Sequence, residues 1–405
     1  MATNNILTIS MITRESLRVL SNSLTFTRHV NRQYDDQFER KGAKIGATIN
    51  IRKPARYVGR TGPVVSIEAQ NETYVPLTLN KQFGVDVDFT STELALSMDD
   101  FSDRVIKPAM TRIANQIDFD GMALLSQVYN QVGAPGSAVT ALSTYLAAGV
   151  KLDRNLAPRD GLRKLVADPS TEATATSLGL TLFNPTSEIS EQYKRGELRE
   201  ALGFGWNMDQ NAPVHTNGTW AGALTVNADV TAGNTMQIND AGTGLALNVG
   251  DVFTVGTGAT GVYTVNAQTK ALTQDLQQFV VSSVVSGTGA DQVITFSPAV
   301  VLTGSLQNVD KKMGAGVTVT MSGATGVTTQ LSVAFHRDAF VLGTAELQLP
   351  GGVDMASIAS DPETGLSIRF IRAFDVRTDQ WISRFDVLYG WATLYEQLAC
   401  RIATS

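Results

Sequence analysis

Between about residues 222 and 332, charged side chains become scarce and Val, Thr, Gly, Ala and Asn dominate. This break constrains the fold more than any other feature of the chain. Short apolar-alternating runs recur inside it: "LTVNADV", "DVFTV", "GVYTV", "QFVVSSVV", "QVITFSP" and "GVTVTM". Gly, Asn and Asp turn signals separate them, which is the pattern of short strands. The segment therefore reads as an all-β unit, a small barrel or sandwich. Mixed α and β patterns flank it on both sides, so it reads as a domain inserted into a host loop. Its two ends must then lie close together, so that the host can close around it.

The glycines of this segment raise the question of a nucleotide site. "GTGATG" places Gly256, Gly258 and Gly261 in a G-x-G-x-x-G pattern after an apolar run. A dinucleotide fingerprint needs a helix next, with its N-terminus at the pyrophosphate. Here Val262, Tyr263, Thr264 and Val265 follow, which is strand chemistry. The loop is expected to join two strands in a hairpin. No other catalytic signature is found: there is no Gly-Lys dipeptide, no H-E-x-x-H and no G-x-S-x-G. The histidines are His29, His215 and His336, too dispersed for a local metal motif. One cysteine, Cys400, excludes an internal disulfide and a cysteine-based zinc site. No cofactor or metal is expected.

The formal charge of -6 argues against a stand-alone nucleic-acid binder, which needs clustered Lys and Arg. "MATNNILTIS" shows no basic-then-apolar signal pattern, and no apolar run reaches the length of a membrane span. These features read as a soluble, reduced, intracellular protein.

The host segments are more varied. Thr13 is a candidate cap for a first helix carrying Leu17, Leu20 and Leu24. Residues 41–80 alternate and then gather Arg52, Lys53, Arg56 and Arg60 among Gly and Pro. That is a long β excursion with a basic tip, either a clasp onto another subunit or a solvated hairpin. Asp86 and Asp88 alternate with Val85, Val87 and Phe89, as on a strand's wet face. "DDFSDRVIKPAMTRIANQIDFDGMALLSQV" is the clearest long helix, capped by Asp99 or Asp100 and kinked or restarted at Pro108. "LVADPSTEA" and "TLFNPTSEI" echo one another as strand, turn and helix start, with Ser170/Thr171 and Thr186/Ser187 as caps. The last seventy residues alternate like the closing strands of a host sheet.

"LAPRDGLRKLVADP", "LFNPTSEISEQYKRGELREALGFGWNMDQNAPVHT", "GVYTVNAQTKALTQDLQQFVV" and "DVLYGWATLYEQLACRI" together resemble the major coat proteins of tailed double-stranded DNA phages. The branch they resemble is P22-like, with an HK97-like subunit carrying an inserted domain. The resemblance implies an α+β fold: an N-terminal arm (1–40), an extended E-loop (41–75) and a peripheral domain with a spine helix and part of the axial domain (76–221). A six-stranded β-barrel insert (222–332), the axial domain and closing strands (333–405) would complete it. It implies pentamers and hexamers of the chain itself in an icosahedral shell, built around a scaffolding protein in the host bacterial cytoplasm. A portal protein would occupy one vertex, and packaged dsDNA would touch the lumen weakly. No enzyme activity and no membrane are implied. Arg52, Lys53, Arg56 and Arg60 on the E-loop, and Asp240 in the insert, are the candidate assembly contacts. The competing readings are a phage surface or decoration protein displaying the β domain, and a hydrolase with a dispersed site.

Overall fold

The computed structural model describes residues 9–32, 48–65, 67–68, 70, 72–90, 106–180, 198, 200–240, 244–287, 292–360 and 366–404. The chain forms two compact units. The first comprises residues 1–51, 75–121 and 340–392, and the second residues 52–74, 122–339 and 393–405.

In the first unit, the helix Ile9–Ser23 buries Leu17 and Leu20, with Leu24 buried just beyond it. Thr13 lies inside this helix and is fully buried, so it does not cap. The chain then turns through Thr27–His29, where Asp118 accepts bonds from the Thr25 and Thr27 amides at 2.8 and 2.9 Å. Asp118 sits on the helix Lys107–Met122, which buries Met110, Ile113 and Ile117. Pro108 occupies the first turn, where its missing N–H costs nothing, and so it does not kink the described helix. The candidate caps Asp99 and Asp100 lie outside the described residues. The α-helical stripe does not continue to Val128; a tighter turn, Ala123–Gln127, takes over. A Cβ on Gly121 would stand 2.7 Å from the Trp391 ring, so the chain here passes too near its neighbour for any side chain.

The unit's sheet has five strands. Gln380–Thr393 pairs antiparallel with Ser367–Asp375 and with Lys81–Thr90, from Lys81 opposite Tyr389 to Thr90 opposite Gln380. Asp86 and Asp88 are exposed, as a wet face requires. Asp386, fully buried, holds Arg369 at 2.6 Å and Arg384 at 2.8 Å.

The second unit carries a seven-stranded mixed sheet. Its strand Thr328–His336 runs antiparallel to Ala399–Thr404, Arg163–Ala167 and Val214–Thr216. "LVADPSTEA" is strand, turn and helix, as its sequence suggests. The cap is Asp168, however, not Ser170 or Thr171: its carboxylate accepts from the amides of both, at 2.9 and 3.3 Å. Pro169 at the first helical position places Asp168 one residue earlier, in the capping slot. The matching "TLFNPTSEI" stretch, with Thr186 and Ser187, lies outside the described residues.

The insert is a closed barrel of six strands. Its core stacks Phe253, Phe279 and Phe296, with ring centroids 5.3–5.9 Å apart, among Leu224, Ile238, Val255 and Ile294. Five of the runs read from the sequence supply barrel strands. "GVYTV" does not: Tyr263–Val265 pairs outside the barrel with Leu272–Leu276. The remaining barrel strand is Gly233–Asn239. The "GTGATG" loop does run from strand to strand, but the two strands it joins do not pair with one another, so it is no hairpin.

The insert's ends lie side by side. The Asn217 side-chain amide donates to Ser322 O at 3.0 Å and Ala324 O at 2.9 Å, and its backbone amide donates to Val327 O at 2.9 Å. Beside this seam is a buried ionic hub. Asp251 accepts from His215 Nε2 (2.9 Å), Gly218 N (3.0 Å) and Asn248 N (2.8 Å). Gly250 has a φ of +100°, and a Cβ there would stand 3.1 Å from the His215 ring, so this corner needs glycine twice over. Arg401, fully buried, donates one bond to Gly250 O at 2.9 Å.

Candidate assembly interface

Strands Thr48–Arg52 and Tyr74–Thr78 pair as a two-stranded ribbon, and the Thr48 and Thr78 hydroxyls meet at 2.7 Å. Both strands are rich in β-branched or aromatic residues, which suit a pleated ladder. Beyond them the chain runs out as a long loop, without regular structure in its described part. The loop is tied by its own contacts. The Lys53 amide donates to Thr73 O at 2.7 Å, and Glu68 accepts from the Val58 and Gly59 amides at 2.8 and 2.7 Å. Its outer part exposes apolar side chains: Val64 is 80% exposed, Val65 74% and Ile67 92%. Apolar surface left in water on an extended loop makes it a candidate contact site.

The four loop cations divide into two kinds. Arg52 is exposed and lies 3.6 Å from Glu72, a pair that water weakens. Arg60 is exposed and bonds the carbonyl of Gly62. Lys53 and Arg56 are half-buried at the loop's root and line one wall of a cleft of about 400 Å³. The Lys53 ammonium stands 5.3 Å from the centre of the Tyr395 ring. Burial lowers its pKa, while the charge of Glu396 opposes that shift. Burial raises the Glu396 pKa, against a 2.7 Å bond from the Ser297 hydroxyl and the charge of Lys53. Sequence reasoning missed Glu396: in "LYEQLACRI" it stands between Tyr395 and Gln397, and only Leu394, Leu398 and Ala399 around it hint that its carboxylate is drawn inward. Asp240 does not join this group. It is fully buried at the end of a barrel strand and accepts from the Gly244 amide at 2.8 Å, so it is not a solvated turn residue.

A second cleft, of about 490 Å³, lies over Phe204, Leu146 and Val150. Its one carboxylate, Asp153, is held by Arg163 at 2.8 Å and by Arg159. The Arg159 hydrogen bond chiefly, and Arg163 after it, pull the Asp153 pKa from 3.8 to about 2 against a burial effect that raises it. A depressed carboxylate stabilises the fold above its unfolded pKa and loses that contribution as pH falls through the folded value. Asp153→Asn is therefore expected to flatten the fall in melting temperature between about pH 4 and pH 2. An acid limb identical to wild type would count against this.

Neither cleft assembles catalytic groups. His336 Nε2 faces Asp160 at 3.2 Å, and its Nδ1 accepts from the Asp338 amide at 3.3 Å. His215 bonds Asp251, but the nearby Ser126 hydroxyl donates to Ala123 O at 2.9 Å. Among the described residues there is no group of three or more His, Cys, Asp or Glu that could hold a metal ion. Also among them, no helix is long and apolar enough to cross a membrane.

A family model described as "P22 coat protein - gene protein 5" matches residues 1–399 of the chain. A search of curated proteins finds no match. Among solved structures, the chain is similar to one titled "Mycobacterium phage Che8", at 13% identity and a TM-score of 0.48, covering 94% of this chain and 90% of that one. It is similar to "Capsid structure of the Cyanophage P-SCSP1u" at 9% identity and a TM-score of 0.45, covering 89% and 84%. A third, "The head structure of Helicobacter pylori bacteriophage KHP40", has 9% identity and a TM-score of 0.42, covering 94% and 88%.

Proposed function

The chain belongs to the P22 coat protein family, and from that premise we infer how its parts are used. It is a major capsid protein, a structural subunit of a phage shell. The family match over residues 1–399 carries this reading. We propose that the subunits form pentamers and hexamers of an icosahedral shell around the dsDNA genome, with a scaffolding protein inside and a portal protein at one vertex. Assembly takes place in the host bacterial cytoplasm, and the protein catalyses no reaction. The arm, E-loop, spine helix, peripheral and axial domains follow the boundaries given by the sequence in an HK97-like arrangement. The ribbon at 48–52 and 74–78, the helix Lys107–Met122 and the closed barrel support that division.

The exposed Val64, Val65 and Ile67 support a loop that reaches onto a neighbour. A shell multiplies weak contacts over many copies, so no single contact has to be strong. Exposed charge pairs are worth about 0–1 kcal/mol each, so the E-loop cations orient the contact more than they hold it. Arg56→Ala with Arg60→Ala is expected to leave the monomer folded while lowering shell yield or heat resistance. Wild-type yield and heat resistance from the double variant would refute this role. Electron microscopy of the chain expressed with its scaffold tests the reading as a whole: closed shells are expected. A lone monomer at high concentration would overturn it.

Thirty-eight acidic against 32 basic residues suit a container that later releases its DNA. A strongly cationic lumen would hold the polyanion through many phosphate contacts. The coat protein is expected to bind dsDNA only weakly and in a salt-sensitive way. Sub-micromolar affinity at physiological salt in a filter assay would contradict this.

A further inference from the structure

Positive charge gathers without a matching partner around one cleft of about 400 Å³. Lys53 and Arg56 line it, both half-buried, and Glu396 is the one carboxylate on its wall. Lys270 stands close by. Burial chiefly, and then the charge of Arg56, lowers its pKa. Its ammonium is spent on the carbonyls of Ala267 (2.9 Å) and Ser305 (2.7 Å), which carry no net charge. Glu396 already accepts a bond from the Ser297 hydroxyl at 2.7 Å, and it can cancel only one of the three cations. Arg154, next in the chain to Asn155 of the cleft wall, pairs with Asp275 and adds nothing to the balance. The cleft also holds four idle donors. Among the described residues, the Lys53 ammonium, the Arg56 guanidinium, the Asn155 carboxamide and the Thr73 hydroxyl make no hydrogen bond. Partly desolvated cations without a counterion are costly, and a bound anion relieves that cost.

We propose that this cleft binds a small dianion of the phosphate class, with Lys53 and Arg56 supplying charge and Asn155 and Thr73 supplying neutral hydrogen bonds. This goes beyond the coat-protein reading and does not depend on a shell. Charge selects the ligand. A phosphate group carries close to two negative charges at neutral pH, which is what the cluster leaves uncancelled. The planar fork of Arg56 suits phosphate oxygens. Shape excludes a nucleic-acid duplex, whose backbone needs an open track of cations with no carboxylate among them. The place of the cleft gives binding a consequence. Lys53, Arg56 and Thr73 belong to the root of the 53–73 loop, Asn155 follows the helix Ser143–Arg154, and Gln307 and Asn308 lie in the insert. A bound dianion would join three separate stretches of the chain.

Isothermal titration of inorganic phosphate into the unassembled wild-type chain tests this, with ionic strength held constant by potassium chloride. One saturable site is expected, with a Kd of about 1 mM or tighter, the level that two charge-assisted contacts support. K53M/R56M is expected to weaken binding by about tenfold or more. A second arm separates the sources of the phosphate group. Displacement of phosphate by adenosine 5′-monophosphate assigns the cleft to a phosphate ester; no displacement assigns it to free phosphate. The absence of saturable binding by either probe overturns the proposal. So does wild-type affinity in K53M/R56M, or binding of an added DNA duplex alone. If K53M/R56M fails to fold, N155D decides, since it keeps the side chain's shape and turns a donor into a carboxylate that repels the dianion. Wild-type affinity in N155D would then overturn the proposal.

Discussion

Asp251→Asn is expected to cost about 1–3 kcal/mol of folding stability: it removes a carboxylate charge that acts on a buried arginine beyond ion-pair distance, and it replaces one hydrogen-bond acceptor with a donor. That arginine is Arg401. Its guanidinium is fully buried, and its Nε and Nη1 find no hydrogen-bond partner among the described residues. Burial pulls its pKa down to about 10, with the charge of Asp251 opposing the shift, so it stays cationic at neutral pH. The substituted carboxamide could still accept from the Gly218 or Asn248 amide, but it could not balance that charge. Adding Arg401→Met removes the unbalanced cation, and the pair D251N/R401M should recover most of the loss. Urea unfolding of the three variants checks this. A loss below about 1 kcal/mol in D251N, or a double variant no better than the single, would show that the hub does not depend on charge balance.

Phe279→Ala should do greater damage by another route, about 3–5 kcal/mol from lost burial plus the cavity left behind. The three barrel phenylalanines pack on one another: Phe279 lies 5.6 Å from Phe253 and 5.3 Å from Phe296, centroid to centroid. All three are essentially inaccessible to water, so none can move outward to fill the gap. Removing one ring also strips the edge and face contacts of the other two, each worth about 0.5–1.5 kcal/mol beyond area. The loss should fall on the insert first. Limited proteolysis is expected to cut within residues 222–332 while the host sheets stay resistant. Cleavage spread evenly along the chain would argue that insert and host unfold as one cooperative body.

The two sites differ in how well the sequence announces them. The barrel was legible because a charge-poor segment must satisfy itself, and its strands alternate in register with the pleat. The exceptions are instructive. Gly233–Asn239 was missed because only Met236 and Ile238 of its seven residues are buried, so alternation covers less than half the strand. "GVYTV" looked like a barrel strand, yet all three residues of Tyr263–Val265 are only half-buried. Its pattern fits a pleated surface but does not say which one. The Asp251 hub had no pattern at all. His215 meets Asp251, and Arg401 the Gly250 carbonyl beside it, across long stretches of chain, and only an arginine amid the apolar run of "LACRIA" hints at it. On the loop, composition identified the cations. It could not separate Arg52 and Arg60, which stay in water, from Lys53 and Arg56, which lie against the insert and Glu396.

The lacing of residues 217 and 218 to residues 322–327 has a consequence for how such chains diversify. A module attached through two neighbouring strands leaves the spacing in its host unchanged whatever its own size. The junction is a socket: another unit with equally close termini could be plugged in without disturbing the sheet beneath, while the asparagine that fastens both leads would have to stay.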